Sequence, residues 1–91
     1  MGIPGVFNNA SERRQLAAGE VLFEAGATGD QMFGVVAGSV ELRRGHDVLT
    51  TVGVGETFGE MAIIDAAPRA LTAVAAEPTE VAIINRRTFL F

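Results

Sequence analysis

Turn-forming residues punctuate this chain at short, regular intervals, and that punctuation limits the folds open to it. Gly19-Glu20, Gly26-Ala27-Thr28-Gly29-Asp30, Gly38-Ser39, Gly45-His46-Asp47, the corner at Gly53 and Gly55, and Glu77-Pro78-Thr79 separate apolar stretches of strand length. Glycine reaches backbone angles that tight turns need, proline presets one of them, and Asp and Ser bond to their own backbone there. The stretches between read as strands: Val21 to Glu24, Met32 to Ala37, Val40 to Arg43, Val48 to Val52, Thr57-Phe58, Thr72 to Ala76 and Val81 to Ile84. Val35 and Val36 favour β geometry because their branched side chains pack well on a pleated surface. Val40-Glu41-Leu42-Arg43 alternates apolar and polar residues, as a half-buried strand does. Glu12 to Ala18 fits either one turn of helix or a first strand. Seven or eight short strands about 8 to 12 residues apart predict a mainly all-β antiparallel barrel or sandwich. No strand–helix alternation suggests a parallel sheet.

Composition narrows the function. At 91 residues the chain is one small domain, and 48% hydrophobic content is ample for one core. No apolar run approaches the ~18 residues of a membrane span. The start, MGIPGVFNN, lacks the basic and long apolar regions of a secretory signal, and Val6 stands where a myristoylation signal has Ser or Thr. Met1 to Ser11 reads as a loose lead and 12–91 as the domain. Cytoplasm is the default location. No cysteine is present, which excludes disulfides and thiolate chemistry. The net charge is −4, so the chain is a poor nucleic-acid binder by itself. His46, the one histidine, cannot supply the several ligands of a metal site or a nucleophile–base pair. No catalytic residue, metal or cofactor is therefore expected. The pairs Arg13-Arg14, Arg43-Arg44 and Arg86-Arg87 read as solvated faces.

The exception among the arginines is Arg69, within Thr57 to Val74. Gly59 can take a backbone angle closed to other residues and lets a ligand approach. A short helix starting near Glu60 would present unpaired N–H groups and its positive end to an anion. Pro68 stops that helix. Arg69 follows and can bring a planar, bidentate cation to the same place. The competing reading is a surface ion pair between Glu60 and Arg69. Such pairs contribute about 0–1 kcal/mol and give no reason for the Gly and Pro around them.

Phe58-Gly59-Glu60-Met61-Ala62, then Pro68-Arg69-Ala70, resembles the phosphate-binding cassette of cyclic nucleotide-binding domains. Ala18 to Phe23, Gly29-Asp30, Val36 to Val40 and Asn85 to Phe89 fit the family's other strands and corners, so the resemblance covers roughly Arg14 to Phe91. It implies an antiparallel, jelly-roll-like β-roll with one short helix in the cassette, acting as a regulatory sensor rather than an enzyme. It assigns Arg69 to the cyclic phosphate and Glu60 to the ribose 2′-hydroxyl, which an acceptor-only carboxylate suits. Backbone amides of Met61, Ala62 and Ala70 would complete the phosphate shell. Leu42, Leu49, Thr50 and Phe58 would line the ribose and base, with Gly59 and Leu71 beside the phosphate. Ala70 stands where relatives selective for cGMP often carry Thr, so cAMP is the expected ligand over cGMP. Arg69→Ala is expected to abolish binding and leave the fold intact. The chain departs from the family pattern at Leu71, where a small residue is usual, and at Ala73, where Val is usual. Counterparts of the family's flanking helices are not recognised. A β-roll free of nucleotide, serving as an interaction module, is the alternative. Ile3, Val6 and Phe7 at one end and Phe89, Leu90 and Phe91 at the other suggest a homodimer through the apolar termini.

Overall fold

The structure is a computed structural model and describes residues 12–60 and 68–85. Eight strands follow one another: β1 Glu12–Leu16, β2 Val21–Phe23, β3 Gln31–Ala37, β4 Val40–Arg44, β5 Asp47–Val52, β6 Thr57–Phe58, β7 Thr72–Ala75 and β8 Thr79–Asn85. They form two four-stranded sheets, in the orders β1-β8-β3-β6 and β2-β7-β4-β5. Every strand pair is antiparallel. The all-β antiparallel architecture expected from the turn spacing, and the β-roll implied by the resemblance, describe this fold. The ambiguous stretch from Glu12 is a strand, because it pairs along the whole of its length with β8, from Glu12 opposite Ile83 to Leu16 opposite Thr79. The short helix expected after Glu60 falls on 61–67, outside the described residues. So do the lead 1–11 and the apolar residues of both termini.

The core lies between the two sheets. Leu16, Phe33, Val35, Phe58 and Val81 from the first sheet meet Val40, Val52, Ala73 and Ala75 from the second. Alternation along each strand explains this set, since every second side chain faces the same way. Three rings hold one end of the core: Phe33 stacks on Phe58 with centroids 5.5 Å apart, and Phe23 lies 5.8 and 6.1 Å from them. Met32, Ala82 and Ile84 form a second buried cluster with Val36. They occupy the alternate positions of β3 and β8, so they belong to the other face of that sheet.

One irregularity matters for the site. Leu42 pairs with Thr50, but the next residue, Arg43, pairs with Val48. Leu49 is thus an extra residue on β5, the two-against-one arrangement of a β-bulge. It is about half exposed.

Candidate functional site

A cavity of about 620 Å³ opens at the Phe-rich end of the roll, within the size range of small-molecule sites. Its lining includes Leu42, Thr50, Thr51 and Val52 from the β4–β5 hairpin and Phe58, Gly59 and Glu60 from β6 onward. Phe23 and the segment Pro68, Arg69, Ala70 and Leu71 complete the wall on the β2–β7 side. The strand register explains how residues so far apart meet. Phe23 pairs with Ala73, Ala73 with Leu42, and Leu42 with Thr50. These four positions form one straight row across all four strands of the second sheet. Val40 and Val52, two residues along the same strands and also paired, are core residues. The row therefore lies on the inner face of the sheet.

Arg69 sits at one end of this row. It is 9% exposed, and its guanidinium lies 4.3 Å from the centre of the Phe23 ring and 5.6 Å from that of Phe33. Nη1 donates to the Gly59 carbonyl at 3.2 Å and Nη2 to the Gln31 carbonyl at 2.8 Å. Its main chain is clamped as well: Arg69 N donates to Ala27 O at 2.8 Å, and Gly26 N donates to Arg69 O at 2.7 Å. Burial pushes the guanidinium below its ordinary pKa, and the charge of Asp30 opposes that shift. The group stays cationic, since arginine's ordinary value is far above neutrality. Among the described residues, two members of its five-donor fork are engaged by carbonyls, and the rest suit an anion. A cation already stripped of much of its water attracts an anion more strongly than one in bulk solvent.

Two glycines make this packing possible. A Cβ on Gly59 would stand 2.8 Å from Arg69 Nη1, and Gly59 has φ +82°. A Cβ on Gly29 would stand 3.1 Å from Nη2. The close approach expected at Gly59 is therefore made in part by Arg69 itself. No ion pair joins Arg69 to Glu60 among the described residues, so the surface-pair reading does not describe the pair. Glu60 is half-buried on the cavity wall.

Seven of the sequence-derived site residues line the cavity together: Leu42, Phe58, Gly59, Glu60, Arg69, Ala70 and Leu71. Thr50, read as part of the wall, is there too. Leu49 is not part of the lining, because the bulge places it out of step with Thr50. Met61 and Ala62 lie outside the described residues. Sequence reasoning missed the groups that hold Arg69: the Phe23 ring, the carbonyls of Gln31 and Ala27, and Gly29. Gly29-Asp30 was legible as a turn; its position beneath Arg69 was not. Among the described residues no three His, Cys, Asp or Glu side chains gather as a metal site, and no helix is long and apolar enough to cross a membrane.

Comparison with known proteins agrees with this geometry. The sequence model of the family described as "Cyclic nucleotide-binding domain" matches residues 13–91. The chain is 36% identical over 84 residues to the cyclic AMP receptor protein of Thermus thermophilus, which covers 87% of this chain and 39% of that protein. It is 37% identical over 86 residues to the cAMP-dependent protein kinase regulatory subunit of Blastocladiella emersonii, covering 89% of this chain and 21% of that one. A solved structure described as "A cyclic-GMP-dependent signalling pathway regulates bacterial phytopathogenesis" superposes with a TM-score of 0.87 at 33% identity, over 98% of this chain and 74% of the other. The chain thus spans less than half the length of both curated relatives.

Proposed function

Given that this chain belongs to the cyclic nucleotide-binding domain family, we propose that it is a sensor module binding a purine 3′,5′-cyclic mononucleotide in the cavity beside Arg69. The observation that carries the reading is the state of Arg69. It is a nearly buried cation on the cavity wall, fixed by two carbonyls and a ring, with donors to spare. One cyclic phosphodiester charge satisfies it, through the paired hydrogen bonds a guanidinium makes to phosphate. Glu60, on the same wall, accepts from the ribose 2′-hydroxyl. Amides of Met61, Ala62 and Ala70 complete the phosphate shell in this reading, with Phe58 and Leu42 against the sugar and base.

Cyclic AMP is the favoured ligand. Ala70 offers no side-chain hydroxyl that would reward guanine, and the two curated relatives carry cyclic AMP in their names. The structural neighbour whose description mentions cyclic GMP makes the pair of ligands the right comparison. The role is regulatory and cytoplasmic, without a catalytic group. Phosphate capture by Arg69 would draw together the groups it already bridges, namely the β2–β3 turn, the start of β3 and Gly59.

Calorimetric titration with cAMP and cGMP tests the proposal. Saturable binding of either supports it, with cAMP the tighter. Heat of dilution alone for both would leave the roll as an interaction module. Pairing of two copies through the apolar termini is part of this reading, and a light-scattering mass that stays monomeric at high concentration would remove it.

A further inference from the structure

We propose that the outer edge of β5 is an interaction surface on which a second copy of this chain pairs strand to strand, β5 against β5, about a two-fold axis. Each four-stranded sheet has two edges: β1 and β6 in one sheet, β2 and β5 in the other. An exposed edge offers unpaired N–H and C=O groups to any strand that meets it, and proteins blunt such edges with charge, shortness or covering. Three of the four are blunted. β1 carries Glu12, Arg13 and Arg14, β6 has two residues, and β2 has three with a break in register. β5 has six residues and a single charge, Asp47 at its first position. Among the described residues it pairs with β4 alone. Its first five residues are exposed, and Val48 and Leu49 are each 48% exposed.

The strand's own sequence favours its like as the occupant. A six-residue stretch of high β propensity, with low net charge and neither Pro nor Gly, is the composition that pairs with itself. Charge sets the direction. Parallel copies in register would set Asp47 beside Asp47, which like charges disfavour. Antiparallel copies hold the two carboxylates at opposite ends, roughly 17 Å apart. They also bring Val48 and Leu49 of one copy toward Val52 and Val54 of the other, and Val54, at 64%, is the most exposed of the large apolar side chains described. The bulge at Leu49 bends the strand at one point. Thr50, Thr51 and Val52 keep unbroken register with Leu42, Glu41 and Val40, so a regular stretch adjoins it. A two-fold axis closes the contact and leaves no β5 edge free. Six residues per chain make less than the ~1,000 Å² of a stable interface, so the dimer is weak, with a dissociation constant on the order of 0.1 mM. Its residues are not those of the apolar termini, and it needs no nucleotide.

Sedimentation velocity without ligand, from about 10 µM to about 1 mM, tests the proposal on the parent and two variants. Leu49→Lys adds a charge of the kind that guards natural edges. Val48→Glu sets a carboxylate opposite Arg43 of its own chain. The parent associates reversibly, and each variant raises the dissociation constant about tenfold or more while circular dichroism shows an unchanged fold. The chain has no cysteine, so a single introduced thiol reports the contact directly. Leu49→Cys, near the middle of the strand, gives a covalent dimer on mild oxidation. Val21→Cys, on the opposite edge of the same sheet and 41% exposed, does not. Two β5 variants that associate as the parent does, or equal cross-linking at both positions, overturn the assignment. Loss of the dimer in Phe89→Ser/Phe91→Ser alone assigns the contact to the terminus and overturns it too. A parent that titrates with cAMP yet stays monomeric at about 1 mM overturns this inference and leaves the nucleotide reading standing.

Discussion

Replacing Arg69 with alanine should weaken the fold as well as the site. The guanidinium donates to two carbonyls, at 2.8 and 3.2 Å, and lies 4.3 Å from the Phe23 ring centre. Hydrogen bonds to a charged group contribute about 1.5–3 kcal/mol each, and a partly desolvated cation–π contact about 1–2 kcal/mol. The sum is an upper bound, because the alanine variant admits water to both carbonyls and removes a cation that was costly to bury. A net loss of about 2–4 kcal/mol is expected. In a domain of this size each kcal/mol moves the midpoint by about 4–8 °C, so the thermal transition should fall by roughly 8–32 °C. Circular dichroism of Arg69→Ala against the parent, without ligand, reads this directly. Arg69→Lys should fall between them, since an ammonium keeps the charge but cannot fork to both carbonyls. Midpoints of the three proteins within a degree or two of one another would refute the reasoning. That result would restore the simpler expectation from sequence, that Arg69 serves ligand alone. Binding is then compared below the lowest midpoint, where every variant is folded; loss of cAMP affinity there belongs to the site.

Glu60→Gln should leave the thermal midpoint unchanged and weaken cAMP less than Arg69→Ala does, because the amide oxygen still accepts; equal loss of 2′-deoxy-cAMP and cAMP in the variant would disconnect Glu60 from the ribose. The ratio of cGMP to cAMP dissociation constants should stay below about a hundredfold, near the limit of what two or three unshared hydrogen bonds provide, and a larger ratio would show a base-reading group beyond Ala70. Glu20 accepts from Ala17 N at 3.0 Å, and that bond, aided by Arg14, lowers its pKa from the ordinary 4.5 while burial opposes the shift. A depressed folded-state value contributes stability above pH 4.5 that is lost as pH falls through it. Glu20→Gln should therefore flatten the acid side of the midpoint-against-pH profile, and parallel profiles would remove Glu20 from the acid response.

Much of the roll was legible because turn chemistry is local. Of the glycines assigned to corners from sequence, Gly26, Gly45 and Gly55 have positive φ, whereas Gly29 and Gly53 do not. The strands between them differ from expectation by only one or two residues at each end. Pairing was less legible. Nothing local places Glu12 to Leu16 against β8, more than sixty residues away, and the propensity of ERRQL does not favour a strand. That element is set by its partner. Thr79 extends β8 into what reads as a turn because its hydroxyl bonds to Ser39, 2.9 Å from the carbonyl and 3.2 Å from the N–H. Such a contact joins residues forty apart and leaves no trace in periodicity.

The site divides the same way. Residue types with a chemical role, such as Arg69, Glu60 and Gly59, stand out in the sequence. The groups that fix Arg69 are main-chain carbonyls of Ala27, Gln31 and Gly59, and any residue carries a carbonyl. Leu71 and Ala73 show the limit from another side. Leu71 alone suggests bulk that would crowd the ligand, and Ala73 alone suggests a looser strand. In the fold Leu71 lines the cavity, and Ala73, two residues on, lies fully buried in the core between the sheets, opposite Leu42. The cavity remains within the size of a nucleotide site. The two departures thus fall in different settings: Leu71 on the cavity wall just before β7, and Ala73 within β7 in the core between the sheets.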